Sequence, residues 1–162
     1  VRWGTSTLEG DWITMEDVMT QCATTYSETY VMEMTGADIL NMLEGVADNL
    51  FDPDPYLQSG GDMVRVGGLD YTIEPGAELG HRISDVRLDN GHIIEAGETY
   101  KVAGWATVNR TPEGRLMWDV VRDYILATRG KDNVLKIEKI NHPKVVGVKD
   151  NPGISDYPGE LA

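Results

Sequence analysis

The segment Ser59-Gly60-Gly61-Asp62-Met63-Val64-Arg65-Val66-Gly67-Gly68-Leu69 holds the most suggestive grouping in the chain. Two glycine pairs flank an apolar stretch that carries one aspartate and one arginine. Glycine lets a backbone approach a ligand and present its N–H groups to an anion, and arginine adds a two-pronged contact. A structural reading uses the same residues: the glycines make turns or bulges, and Arg65 pairs with Asp62 or another acid. The segment is neither a Walker loop, which needs Gly-Lys-Ser/Thr, nor a Gly-x-Gly-x-x-Gly fingerprint. Arg2-Trp3-Gly4-Thr5 offers a second grouping, an arginine that can hold an anion beside an indole wall, or else a terminal arginine in solvent.

Other chemistries find little support. His81, His92 and His142 are scattered without metal-ligand spacing. Asp48, Asp52 and Asp54 lie close together, but prolines and a missing loop glycine break the calcium-loop pattern, and a surface cluster is expected. No Gly-x-Ser-x-Gly elbow is present. Cys22, the single cysteine, falls on the apolar face of a helix and reads as an inert core thiol. Trp105 and Trp118 read as core residues rather than a stacking platform.

The elements that must position these residues follow from local pattern. Thr14 precedes Met-Glu-Asp-Val as a helix cap, with Glu16 and Asp17 in the first turn and Val18, Met19 and Cys22 as a buried stripe. Residues 28–34 alternate as a strand, with Tyr30, Met32 and Met34 on one side. Thr35 caps a second helix with Asp38 as its capping-box acid. That helix has an apolar face of Ile39, Leu40, Met42, Leu43, Val46, Ala47 and Leu50, and Pro53 stops it. Further strands are expected at 63–66, 71–73, 83–88, 100–108 and 134–140, with a hairpin turn at Asp89-Asn90-Gly91. A third helix at 117–128 has Val120, Val121, Tyr124 and Ile125 inward and Gly130 as its C-cap. Without regular β-α-β alternation, these elements make one mixed α/β (α+β) domain over residues 1–150, followed by an irregular tail at 151–162.

The 162 residues are one domain's worth, and no apolar run is long enough to span a bilayer. Lys+Arg is 14 against Asp+Glu 27, for a net charge of −13. Residues 1–80 hold 15 acids and only two basic side chains, Arg2 and Arg65, so that half carries all of the net charge. Such a chain repels nucleic-acid phosphates and anionic lipid. An anion bound in its first half would have few cationic partners besides those two arginines. Val1 is not an initiator methionine and no charged-then-apolar leader follows it, so Val1 reads as a cut point within a larger protein.

Several runs resemble the C-terminal domain of the 5′-nucleotidase family and, within it, the SoxB thiosulfohydrolase subfamily of bacterial sulfur oxidation. They include Val1-Arg2-Trp3-Gly4-Thr5-Ser6, Met34-Thr35-Gly36, and Asn49-Leu50-Phe51-Asp52-Pro53-Asp54-Pro55-Tyr56. Gly60-Gly61-Asp62-Met63-Val64-Arg65, Arg82-Ile83-Ser84-Asp85 and Gly104-Trp105-Ala106 continue the likeness. The resemblance implies a two-domain periplasmic hydrolase whose N-terminal, metallophosphoesterase-like domain carries two manganese ions, with no metal held by this chain. It implies release of sulfate from a cysteine adduct on the sulfur-carrier complex SoxYZ, with neither nucleic acid nor membrane as partner. It implies that Arg2, Trp3, Gly60, Gly61, Asp62 and Arg65 contact substrate, Arg2 at the sulfonate oxygens, and that this chain alone is catalytically inactive. Nucleotide-cleaving relatives clamp a base between aromatic rings, whereas this chain has one phenylalanine, Phe51, and Trp105 in the later aromatic region. Two alternatives stay open: the same domain from a nucleotidase or sugar-nucleotide hydrolase, and a free-standing carrier-binding module.

Overall fold

Two of the helices start where a threonine and an acid three residues later satisfy each other's backbone. The computed structural model describes residues 4–22, 25–106, 114–137 and 139–148. Helix α1 (Met15–Gln21) is capped by Thr14, whose hydroxyl accepts the Asp17 N–H while the Asp17 carboxylate accepts the Thr14 N–H at 2.8 Å. Helix α2 (Gly36–Phe51) repeats the device with Thr35 and Asp38. Both boxes satisfy donors that a helix start otherwise leaves orphaned.

Cα packing gathers the chain into two compact units, each built from two stretches. Val1–Glu33 joins Lys101–Glu138, and Met34–Tyr100 joins Lys139–Ala162. Strands β1 (Thr29–Thr35) and β4 (Thr99–Trp105) pair as a two-stranded sheet. The alternation foreseen for β1 holds: Tyr30, Met32 and Met34 are half-buried, and Val31 and Glu33 are exposed.

In the first unit α1 packs on α3 (Met117–Thr128). No side chain caps α3; its start is fixed instead by Met117 N–H donating to the Ser27 carbonyl at 2.7 Å and by an antiparallel bridge between Glu28 and Leu116. Two expectations for this helix need correction. Tyr124 is 60% exposed, leaving Val120, Val121 and Ile125 as the half-buried face. The C-cap is Arg129, not Gly130, and the chain turns at Asn133, which takes φ 61°. Val18 and Cys22 are buried, as expected, but Met19 of the same foreseen stripe is exposed.

In the second unit β2 (Leu69–Ile73) is the centre of a three-stranded sheet in the order β3-β2-β5. Strand β3 (Ile83–Leu88) pairs antiparallel to it, from Leu69 opposite Leu88 to Ile73 opposite Ile83, with an irregularity between Asp70 and Thr72. Strand β5 (Lys144–Val145) pairs parallel, Thr72 opposite Lys144. The core is the inner side of β2 (Leu69, Tyr71, Ile73), Ile83 and Val86 of β3, and Ile39, Leu43 and Ala47 of α2. The buried stripe of α2 is narrower than foreseen, since Leu40 and Met42 are exposed and Glu44 is buried instead.

The turn at Asp89-Asn90-Gly91 forms, with Gly91 at φ 85°. Its return leg is held by one bridge, Arg87 to Ile93, and is not a strand. No strand forms at 63–66, nor among the described residues of 134–140, where Val134, Ile137 and Ile140 are all exposed. Both stretches are rich in β-branched or other apolar residues, but among the described residues no neighbouring strand pairs with them. Thr107 and Val108, the expected end of β4, and the tail at 151–162 lie outside the described residues, as does the expected boundary at residue 150. Three helices among the described residues and a mixed sheet are the α+β class foreseen from the sequence.

Candidate functional site

The glycine-rich segment begins where α2 ends. Asp52 is the C-cap, and Pro53 cannot continue the helix. The chain then folds through two aspartate-centred turns: Asp54 N–H donates to the Asp52 carboxylate and Tyr56 N–H to the Asp54 carboxylate, each at 2.9 Å. Gln58 returns to donate to the Asp52 carbonyl at 2.7 Å, and Ser59 Oγ donates to the Asn49 side chain at 3.2 Å. Gly60 lies against the last turn of α2, where a Cβ would stand 3.3 Å from that of Asn49. The expected surface cluster of aspartates is therefore only partly right. Asp52 is buried, and Asp48 pairs with a buried arginine, while Asp54 is exposed.

From Gly61 to Gly67 no backbone N–H donates to any acceptor among the described residues. Gly60, Gly61, Asp62 and Arg65 are all exposed, whereas Met63, Val64 and Val66 are half-buried and hold the segment down. Arg65 makes no ion pair among the described residues, with Asp62 or any other acid. The segment thus joins a row of uncommitted N–H donors to an unneutralised guanidinium, the combination that anions bind.

Beyond this stretch the backbone is fixed again. Gly68, at φ 79°, donates its N–H to Asn141 Oδ1 at 2.9 Å, and its carbonyl accepts the Asp89 N–H at 3.1 Å. Asn141 Nδ2 donates to Asp70 at 2.8 Å and to Asp89 at 2.7 Å, and Lys139 Nζ bridges the same two carboxylates at 2.9 and 2.6 Å. Hydrogen bonds first from Asn141 and then from Lys139 hold Asp70 below the usual carboxylate range. The same two residues, Lys139 first, do so for Asp89.

Beside the segment a buried cluster ties α2 to the start of β3. Arg82 is 3% exposed; its guanidinium contacts the Asp48 carboxylate, the Pro75 carbonyl at 3.0 Å and the Phe51 carbonyl at 3.1 Å. Glu44, also buried, accepts the backbone N–H groups of Arg82 at 3.0 Å and Ile83 at 2.8 Å. Sequence spacing gave no hint of this cluster, because its α2 members lie 31 to 39 residues from Arg82 and Ile83. Arg82 lay within a resembling motif, which was the only signal available.

Arg2 and Trp3 lie outside the described residues. Among the described residues, Thr5 donates its hydroxyl to the Asp17 carboxylate at 2.6 Å, beside the capped start of α1. Trp105 ends β4 at 37% exposure, more open than the core position foreseen, and Trp118 is half-buried. No group of three or more His, Cys, Asp or Glu side chains among the described residues is arranged to hold a metal ion. No helix among them is long and apolar enough to cross a membrane.

The family model of the 5′-nucleotidase C-terminal domain matches residues 3–117. The chain belongs to that family. Among solved structures, this 5′-nucleotidase C-terminal domain is similar to the Thermus thermophilus sulfate thiohydrolase SoxB in complex with glycerol. The likeness has 30% identity and a TM-score of 0.77, and covers 92% of this chain and 28% of that one. It also shares its fold with a Staphylococcus aureus protein assigned as a 5′-nucleotidase and bound to alpha-ketoglutarate. There identity is 18% and the TM-score 0.58, over 82% of this chain and 30% of that one. The domain thus spans less than a third of either protein's length. No curated protein matches it.

Proposed function

We propose that this chain is the substrate-contacting C-terminal domain of a periplasmic, SoxB-like thiosulfohydrolase, which releases sulfate from a cysteine adduct carried by SoxYZ. The observation that carries the reading is the likeness to the sulfate thiohydrolase, at 30% identity and TM-score 0.77 across 92% of the chain. The likeness to the nucleotidase, at 18% and 0.58, extends to the fold alone.

Among the described residues no group of three or more His, Cys, Asp or Glu is arranged to hold a metal ion, and the two manganese ions belong in this proposal to a metallophosphoesterase-like domain. No step here is routed through them. What this domain supplies is anion recognition. A sulfonate presents three oxygens; Arg65 meets one edge of it and the free N–H groups of 61–67 meet the others, with Gly61 leaving room for close approach and Gly60 holding the segment against α2. Arg2 and Trp3 enter the proposal as further substrate contacts through the family resemblance alone. Donors already oriented at an oxyanion gain most as charge builds in the transition state.

A nucleotidase reading draws on the partial exposure of Trp105, which leaves an indole face for a base. Sulfate release and nucleoside monophosphate hydrolysis by the complete protein separate the two readings. Replacing Arg2 or Arg65 by alanine is expected to lower sulfate release by about 10²–10³-fold, the scale of losing one oxyanion donor. Arg65→Ala should leave unfolding within about 0.5 kcal/mol of the unaltered protein, since Arg65 is exposed and unpaired among the described residues. Unchanged kinetics in both variants, or nucleotide hydrolysis without sulfate release, would overturn the proposal.

A further inference from the structure

Asn141 lies 73 residues from Gly68 in sequence, yet its amide makes three of the four hydrogen bonds open to it. The oxygen takes the Gly68 N–H, and the nitrogen gives one hydrogen to Asp70 and one to Asp89. This arrangement orients itself, because the two carboxylates accept only from the nitrogen and Gly68 donates only to the oxygen. Asp89 then grips the same glycine from the other side through its own N–H. Lys139 supplies the cation that lets two carboxylates converge on one amide. Gly68 is therefore the first fixed peptide after a stretch of seven uncommitted N–H groups, and it is fixed by a side chain from the far end of the unit.

We infer that Asn141 is a positioning residue for the anion-binding segment: by anchoring Gly68 it sets the direction in which residues 61–67 present their N–H groups and Arg65. The inference rests on the substrate-contact reading given above and adds to it the element that determines the segment's geometry.

The 162-residue chain, isotopically labelled, tests this with inorganic sulfate as the probe. Sulfate is expected to shift the amide resonances of 61–67 in the unaltered chain. In Asn141→Ala the Gly68 amide should exchange about ten-fold faster or more, and the sulfate-induced shifts should weaken by a similar factor. Asn141→Asp supplies a readout that loss of stability alone would not produce. The ionised new carboxyl faces Asp70 on β2 and Asp89 after β3 and has no proton to donate to them, with Lys139 and His142 on its own segment. Arg87, opposite Asp70 on the ladder, is engaged with Asp85. Protonation restores one donor and keeps the acceptor, so the sulfate response of this variant should recover as pH falls. That recovery should come above the usual carboxylate range, because two like charges hold the proton on. The alanine variant should show no such recovery.

Sulfate shifts that persist undiminished in Asn141→Ala would overturn the inference while leaving the substrate reading in place. A pH-independent Asn141→Asp response would do the same. Absence of any sulfate shift in the unaltered chain would overturn the substrate reading, and the inference with it.

Discussion

Replacing Arg82 by methionine removes the cation at the centre of the α2–β3 attachment while keeping much of the side-chain volume. Arg82 is 3% exposed, so its three acceptors lose their partner in a place water reaches poorly. Breaking a buried pair by removing one member typically costs about 3–5 kcal/mol. The Asp48 side chain retains 23% exposure, and solvent relieves part of the charge left behind. The orphaned carbonyls of Pro75 and Phe51 are part of that cost, at about 1 kcal/mol each. The expected loss is about 3–4 kcal/mol, a large share of the 5–15 kcal/mol that usually holds a domain together. Arg82→Lys should cost less, about 1–2 kcal/mol, because one ammonium can keep Asp48 but cannot replace the planar fork.

Urea unfolding suits the measurement because all four tryptophans fall in residues 1–33 and 101–138, whereas α2, β2 and β3 lie in the other unit. Far-UV circular dichroism and tyrosine absorbance should therefore report the loss directly. Combining Arg82→Met with Asp48→Leu should recover part of it, since the unpaired carboxylate is then gone. A loss below about 1 kcal/mol in Arg82→Met, or no recovery in the double variant, would refute the claim that this cluster secures α2 to the sheet.

Two further outcomes are expected. Gly36→Ala places a Cβ against the Glu95 carbonyl and 2.9 Å from Ile94 Cγ2, and should cost about 1–3 kcal/mol by overpacking, seen as a lower Tm; an unchanged Tm contradicts the contact. Hydrogen bonds from the Thr14 hydroxyl, then the Thr5 hydroxyl, then the Thr14 N–H depress the Asp17 carboxyl from 3.8 to about 2. Its contribution is therefore complete above the ordinary carboxylate range and fades as pH falls from about 4 through about 2. A carboxyl titration by NMR should find the midpoint near 2 and find it raised in Thr5→Ala; an ordinary midpoint in the unaltered chain would show that the capping network does not hold.

What the sequence made legible was what neighbours in sequence decide. Thr14 with Asp17, and Thr35 with Asp38, mark helix starts within four residues, and β3 ran over the residues its pattern indicated. The failures are non-local. Residues 63–66 are mostly apolar and valine-rich like a strand, yet a strand exists only where another backbone meets it, and among the described residues none does. Lys144–Val145 has no strand pattern of its own and becomes β5 because Thr72 and Ile73 of β2 are there to pair. The glycine-rich segment was visible as a candidate from composition alone. Its donors' freedom and its anchor on Asn141 were not, because the acceptor comes from 73 positions away.

The division into units sets an order of events during synthesis. Each unit is assembled from an early and a late stretch, so residues 1–33 wait for 101–138, and residues 34–100 wait for the segment that begins at 139. While a ribosome is making the middle of this chain, α2 and the β2–β3 ladder can form, but β5 and the Asn141 anchor cannot. Such long-range closure slows folding and lengthens the time that strand edges stay uncovered. The edge of β2 that later receives β5 is therefore the place where a nascent or truncated chain is most exposed to pairing with the wrong partner.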